Sequence, residues 1–204
     1  MPRLHAAGLF ALLALALAAP ALPASAAGIA IAPHEAHYRL KMKQIRMPGA
    51  TSASDGDFQL RIERTCTHWQ AVTRFSFSLY NEQGEPLHMV SQGGWTESLN
   101  GRDMEFHNQT MLNSNVIDQV AGSARTALDG SGGVLTLTRP QSAVKPLPPG
   151  VMFPIQATRW SLDQLRAGKR LVNYVVFDGG SDEPSRVMDL VAGKPTPLGD
   201  APDG

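Results

Sequence analysis

Apolar and polar residues alternate with a period of two in segment after segment between positions 34 and 139. The clearest case is WQAVTRFSFSLY, where Trp69, Ala71, Phe75, Phe77 and Leu79 fall on one face of an extended chain. This period is typical of a β-strand with one buried and one solvated face. Because turn residues separate the segments, the pattern predicts an antiparallel sheet. Further expected strands are HEAHYRLKMKQI, DFQLRIER, LHMVSQGGWTES and the segments 103–111, 115–121, 123–128 and 134–139.

The pattern changes once, after the proline-rich connector KPLPPG. Trp160 and Leu165 have helical spacing, and Gly168 followed by two basic residues is typical of a helix end. We therefore expect one short helix near Ile155–Ala167, with Trp160 and Leu165 against the sheet. Two more strands, LVNYVVFDGG and SRVMDLVAG, follow. The predicted fold class is mainly β, with one helix on an antiparallel sheet.

The first 26 residues are typical of a secretory signal peptide. Arg3 precedes an apolar run that ends at prolines, and the small triplet Ala24-Ser25-Ala26 follows. The run is shorter than the roughly 20 residues that a membrane-spanning helix needs. Cleavage after Ala26 predicts a periplasmic protein that does not span the membrane, in an oxidising compartment.

Composition excludes one class of partner. The 18 Lys and Arg residues balance 18 Asp and Glu residues, and loss of Arg3 leaves 17 basic against 18 acidic, a net charge of −1. No basic cluster of the kind that binds nucleic acid occurs. We expect residues 27–204 to form a single domain, and the abrupt ending GKPTPLGDAPDG indicates truncation at the C-terminus.

Cys66 is the only cysteine in the chain. An odd thiol in an exported protein indicates an intermolecular bridge, a reactive thiol, or a disulfide whose partner is out of view. His68, two residues on, would share a strand face with Cys66, so a base for a reactive thiol is conceivable. The residues alone leave these alternatives open.

The segments APHEAHYRLKM, RIERTCTHWQAVTRFSF, LPPGVMFPIQATRW and VVFDGGSDEPSRV together resemble the EipB family of cell-envelope integrity proteins. These are periplasmic proteins of Gram-negative bacteria, long described as a domain of unknown function. The resemblance implies an open, coiled antiparallel β-spiral, half-barrel-like and similar in shape to periplasmic lipoprotein carriers. It also implies a disulfide in which Cys66 is the first partner and the second lies beyond residue 204. Ala157 stands where this family is expected to have a histidine.

Two groups of polar residues resemble known kinds of functional site. His34 and His37 lack the helical spacing of four residues that zinc proteases use, so we interpret them as surface histidines. Asp178, Asp182 and Glu183 are interrupted by two glycines, which favours a hairpin turn over a calcium loop. The nucleophile motif G-x-S-x-G is also absent from the sequence. We therefore expect no catalytic residues, no metal and no cofactor.

The apolar face of the sheet is the remaining candidate. Such a face fills a core by default, but an open sheet can also hold an acyl chain or a peptide. The candidate groove-lining residues are Tyr38, Leu40, Phe58, Trp69, Phe75 and Phe77. The leading hypothesis is a non-enzymatic periplasmic protein that supports envelope integrity through protein or ligand contacts. The alternatives are a carrier of lipid or lipoprotein acyl chains and, with less support, an envelope hydrolase.

Overall fold

The computed structural model describes residues 29–41, 52–53, 55–80, 83 and 86–194. The predicted signal peptide lies outside these residues. The described part contains eleven strands and one helix. They are β1 (His34–Leu40), β2 (Ser52–Ala53), β3 (Gly56–Arg64), β4 (His68–Tyr80), β5 (Pro86–Ser98), β6 (Asp103–Leu112), β7 (Asn115–Thr126), β8 (Gly133–Arg139), β9 (Ala143–Leu147), α1 (Pro154–Arg166), β10 (Leu171–Val176) and β11 (Arg186–Val191).

Nine strands form one antiparallel sheet in the order β1-β3-β4-β5-β6-β7-β8-β9, with β2 paired to the end of β4. Each long strand pairs with its neighbour in sequence, as expected where short turns connect antiparallel strands. Among the described strands, β1 and β9 pair on one side only, so the sheet is open. The prediction of a mainly β, open antiparallel fold with one helix is confirmed.

The alternation predicted for β4 places its odd-numbered residues on the buried face of the sheet. Residues directly opposite in an antiparallel pair project from the same face. Ala71 pairs with Trp95, which pairs with Phe106, so the same face continues across three strands. We call this the apolar face. The predicted strands at 115–121 and 123–128 are one continuous strand, β7.

Helix α1, the hairpin β10–β11 and the segment between β9 and α1 supply the core that packs on the apolar face. Phe177 contacts Phe106 edge-on, with 5.1 Å between ring centroids, and Phe153 lies 6.5 Å from Phe177. Met152 bridges to Val176, which ties the segment before the helix to β10. The core residues are Met104, Phe106, Val120, Ala124, Leu135, Leu137, Leu147, Val151, Phe153 and Phe177.

The helix lies where the sequence predicts it, but its buried face differs. The buried residues are Ile155, Ala157 and Ser161. Trp160 is only partly buried and makes an edge contact with Tyr174 of β10, 5.9 Å between centroids. The reason is that the first turn of α1 enters the core behind Phe153, so small and aliphatic residues there approach the sheet most closely. Trp160 and Leu165, which were expected against the sheet, are therefore only half-buried, and Trp160 packs on the β10–β11 hairpin rather than in the core.

The loop between β10 and β11 fits against the core at Gly179. Its φ of +71° is a backbone conformation that L-residues rarely adopt, and an added Cβ would lie 2.7 Å from Cβ of Phe106. Gly130 has a φ of +72° but no atom within 4 Å of an added Cβ. The two glycines therefore have the same backbone requirement and differ in packing.

We expect Gly179→Ala to destabilise the protein more than Gly130→Ala. The matched variant should lose about 1–2 kcal/mol from backbone strain alone. Gly179→Ala should lose a further ~1–3 kcal/mol because Phe106 must move. Urea unfolding of both variants measures the difference, and equal losses would show that Phe106 yields without cost.

Candidate functional site: a polar trough

The face opposite the helix carries three adjoining cavities. We call it the polar trough; it is lined mainly by residues of β3 to β8, most of them with side chains on the side away from the helix. Its middle part has a volume of ≈ 600 Å³ and is bounded by Arg61 and Glu63 of β3 at one side and Thr138 of β8 at the other. In a flat sheet five strand spacings would separate these residues by about 24 Å. The sheet must therefore curl around this face.

The trough continues in both directions along the strands. A part of ≈ 580 Å³ shares Val72, His107 and Ala121 with the middle. A part of ≈ 850 Å³ on the other side shares Thr96 and Glu105 with it. The three parts thus form one continuous surface, long enough for an extended ligand.

Charge is distributed unevenly along the trough. At one end Arg74, His107 and Arg139 line the wall, and no Asp or Glu is among the described residues there. In the middle Arg61 is ion-paired with Glu63, and Glu105 lies nearby. At the other end Arg125 is paired with Asp103. Only the first of these, which we call the cationic end, has unbalanced positive charge.

A buried carboxylate on the apolar face fixes the helix. Glu97 of β5 is 1% exposed, and its two oxygens accept the backbone N–H groups of Ile155 and Gln156 at 2.8 and 2.9 Å. Phe153, the residue before α1, offers no side-chain cap, so Glu97 supplies it from the sheet. Burial raises the pKa of Glu97 to about 7, against the two N–H donors and the charge of Arg159, which lower it.

The six candidate groove-lining residues share the apolar face, and none lines the polar trough. Trp69 and Phe77 are buried, at 6% and 8% exposure, while Tyr38 is 50% exposed. Tyr38 stacks on Phe58 with 5.8 Å between centroids. Leu40, Phe58 and Phe75 are intermediate. The structure brings the six residues onto one face, and their role as a groove stays a prediction.

The predicted surface histidines and Cys66 lie apart from the trough. His37 contacts the Glu35 carboxylate at 2.8 Å, and that hydrogen bond lowers the pKa of Glu35. Cys66 is exposed in the turn between β3 and β4. His68 is bonded to Thr67 through Nδ1 at 2.9 Å. Within the described part of the chain no three His, Cys, Asp or Glu residues come together as metal ligands.

The acidic segment at Asp178, Asp182 and Glu183 is the loop of the β10–β11 hairpin. Asp178 accepts the N–H of Gly180 at 2.9 Å, as in an Asx turn. Lys145 of β9 donates to the Asp182 carboxylate at 2.8 Å, which lowers the pKa of Asp182 and ties the hairpin to the main sheet. Asp178 and Asp182 therefore have structural contacts that account for them.

Sequence reasoning did not identify the polar trough. Its residues occupy the polar positions of each strand, which alternation alone assigns to a solvated face. The signal available in the sequence is arginine or glutamine at polar positions of four strands. These residues are Arg74 of β4, Gln92 of β5, Gln119 of β7 and Arg139 of β8. Only the folded structure shows that Arg74 meets Gln92 and that Arg139 of β8 meets Gln119.

An open, curled antiparallel sheet with a helix on its apolar face and a trough on the other places this chain among the β-barrel-like proteins whose sheet does not close. A crystal structure of a beta-barrel-like protein of a domain of unknown function, from Brucella abortus, shares this fold. Its TM-score is 0.68 at 22% identity, over 77% of this chain and 65% of that one. Residues 25–203 match the model of the EipB-like family, and the chain belongs to that family.

A curated relative is the cell envelope integrity protein EipB of Brucella abortus. It is 25% identical over 178 residues, which cover 83% of this chain and 60% of the relative. The chain thus spans less than two thirds of the length of the curated relative that it matches. Among the described residues, no helix has the length and apolarity needed to cross a membrane.

Proposed function

We propose that this protein is a non-enzymatic periplasmic protein that supports cell-envelope integrity by binding an envelope component. The observation that carries the proposal is the polar trough, a continuous surface across six strands that the helix and hairpin leave uncovered. Membership in the EipB-like family and the name of the Brucella relative support the cellular role. The signal-peptide pattern of residues 1–26 supports export.

The apolar face supports a second candidate, a carrier of acyl chains. Beyond the core, Tyr38 remains half exposed and stacked on Phe58, which leaves aromatic surface near the β1 edge. An acyl chain would gain stability by covering such surface. If the carrier hypothesis holds, mass spectrometry of gently extracted protein will detect a bound lipid, and Tyr38→Ser together with Phe58→Ser will abolish its recovery.

Deletion of the gene in the organism that encodes it tests the proposed role. We expect the deletion strain to become sensitive to detergent and to cell-wall antibiotics, and the full gene to restore resistance. A gene lacking codons 2–26 should fail to restore it, because the protein would stay in the cytoplasm. A deletion strain with an unchanged envelope, or hydrolysis of an envelope polymer by purified protein, would contradict the proposal.

Cys66 forms the first half of a long-range disulfide in this proposal. The thiol is exposed in the β3–β4 turn, where a partner segment can reach it. A bridge that closes a loop of more than 100 residues stabilises by roughly 4–5 kcal/mol in the chain-entropy model. In full-length oxidised protein we expect Cys66 to resist thiol labelling until a reductant is added, and reduction to lower the melting temperature. Labelling without reductant would contradict the bridge.

A further inference from the structure

The cationic end of the trough has the chemistry of a binding site for a carboxylate-bearing ligand. Arg74 of β4 and Arg139 of β8 line the same cavity of ≈ 580 Å³, with His107 of β6 between them in strand order. No carboxylate among the described residues lines this part of the trough. Elsewhere along the trough Arg61 and Arg125 are each paired with an acidic residue. The two arginines of the cationic end are therefore the ones whose charge is open to a ligand.

Both guanidinium groups are held in place by a glutamine of the neighbouring strand. Nη1 of Arg74 donates to Oε1 of Gln92 at 3.1 Å, and Nη1 of Arg139 donates to Oε1 of Gln119 at 3.1 Å. A guanidinium has five N–H donors, so each arginine keeps donors for a ligand. Because the side chains are already oriented, less conformational entropy is lost when a ligand binds.

The neutral groups around the arginines indicate what the rest of the ligand is. Side-chain amides of Gln59, Gln92, Gln109 and Gln119 line the cavity. Each amide offers a donor and an acceptor together, which matches hydroxyl and acetamido groups of sugars. No Phe, Tyr, Trp, Leu, Ile or Met is among the described residues that line this end, so its apolar contacts come from small side chains such as Val72 and Ala121.

The middle of the trough limits how charged the ligand can be. Glu63 and Glu105 line the part next to the cationic end. A dense polyanion that extended along the trough would bring like charges together there, which is unfavourable. A chain with a carboxylate on some units and neutral hydroxyl-rich units between them avoids this repulsion.

We propose that the cationic end of the polar trough binds an acidic oligosaccharide, with carboxylate groups on Arg74 and on Arg139 and its neutral sugar units along the glutamine amides. This inference rests on the proposed function, because it names the chemistry of the envelope component bound. Arginine suits the role since its planar fork can bind a carboxylate through two hydrogen bonds.

Titration calorimetry on the purified protein tests this site with a hyaluronate tetrasaccharide, which alternates carboxylate-bearing and N-acetylated sugars. We expect saturable binding that weakens as salt is raised. Arg74→Gln and Arg139→Gln should each weaken binding about tenfold or more, since each removes a charge-assisted pair. The matched control is Arg166→Gln, an exposed arginine in the last turn of α1 on the other face of the sheet, and it should bind like the unchanged protein. Thermal melting of all variants checks that they are folded.

Two further probes test whether the carboxylate alone or the neutral sugar alone accounts for binding. An uncharged N-acetylglucosamine tetrasaccharide and tetraglutamate should both bind at least tenfold more weakly than hyaluronate. Equal binding of the uncharged sugar would overturn the role of the carboxylate, and equal binding of tetraglutamate would overturn the role of the sugar. Absence of hyaluronate binding, or an equal loss in Arg166→Gln, would overturn the site. If hyaluronate does not bind but the deletion strain is sensitive to detergent, the proposed envelope role is supported and only the assignment of the ligand fails.

Discussion

Phe153→Ala is expected to reduce the free energy of unfolding by about 3–5 kcal/mol. The Phe153 ring is 0% exposed and lies in the core cluster between the sheet and the segment that enters α1. Its loss leaves a cavity beside Phe177, which the neighbouring β-sheet backbone cannot close. The same residue precedes the helix, so the helix N-terminus would also lose the part of its packing that this ring supplies. Chemical denaturation monitored by tryptophan fluorescence measures the loss.

Two other variants show whether this loss comes from core packing. Phe153→Leu retains most of the apolar volume and should be destabilised less than the alanine variant. Tyr38→Ala removes a ring that is half exposed, and a loss of only about 1 kcal/mol is expected. If Phe153→Ala lost no more than Tyr38→Ala, the core would not be centred at the start of α1.

The elements of this fold follow from local sequence. The alternation in β4 assigns Trp69, Ala71, Phe77 and Leu79 to one face, and all four are buried. The helix is also local, because the proline at its first position and the glycine after its end are start and stop signals. The predicted and observed helices differ by one residue at each end.

The arrangement of the elements depends on contacts that are distant in sequence. Which face of α1 is buried follows from the position of its first turn in the core, and this turn is fixed by Glu97, 58 residues away from Ile155. A glutamate in a strand usually indicates the solvated face, so the pattern at Glu97 does not identify a buried cap. The trough is similar, since it arises from the curl of the whole sheet and from strand register.

One face of the sheet therefore packs the core, and the other face is open for binding. The apolar face is occupied by the helix and hairpin over β5 to β8, and these contacts make the sheet rigid there. The opposite face carries oriented arginines and amides on β3 to β8, which include these strands. Rigid strands hold binding groups more accurately than loops do, which favours the trough as the site of recognition.

Glu97 links the stability of this core to pH. Burial raises the pKa of its carboxyl to about 7 in the folded protein, from 4.5 when it is exposed. The folded state therefore binds more protons than the unfolded state between these two pH values. The stabilising contribution is complete below about pH 4.5 and is lost as the pH rises through about 7. The pKa values of Glu35, Asp129 and Asp182 are lowered, so their effects fall at more acidic pH and have the opposite sign.

Unfolding in urea at pH 5 and pH 8 should show this linkage, with the protein more stable at pH 5 by on the order of 3 kcal/mol at most. In Glu97→Gln the group cannot ionise, so this difference should largely disappear, although one oxygen can still accept an N–H of the helix.

Glu97→Ala leaves the N–H groups of Ile155 and Gln156 without their acceptor and should lose about 2–4 kcal/mol at pH 5. Glu105→Gln, an exposed glutamate on the opposite face, is the matched control and should keep the pH dependence of the unchanged protein. If Glu97→Gln kept it too, another group would be responsible, and Glu97 would act only as a cap.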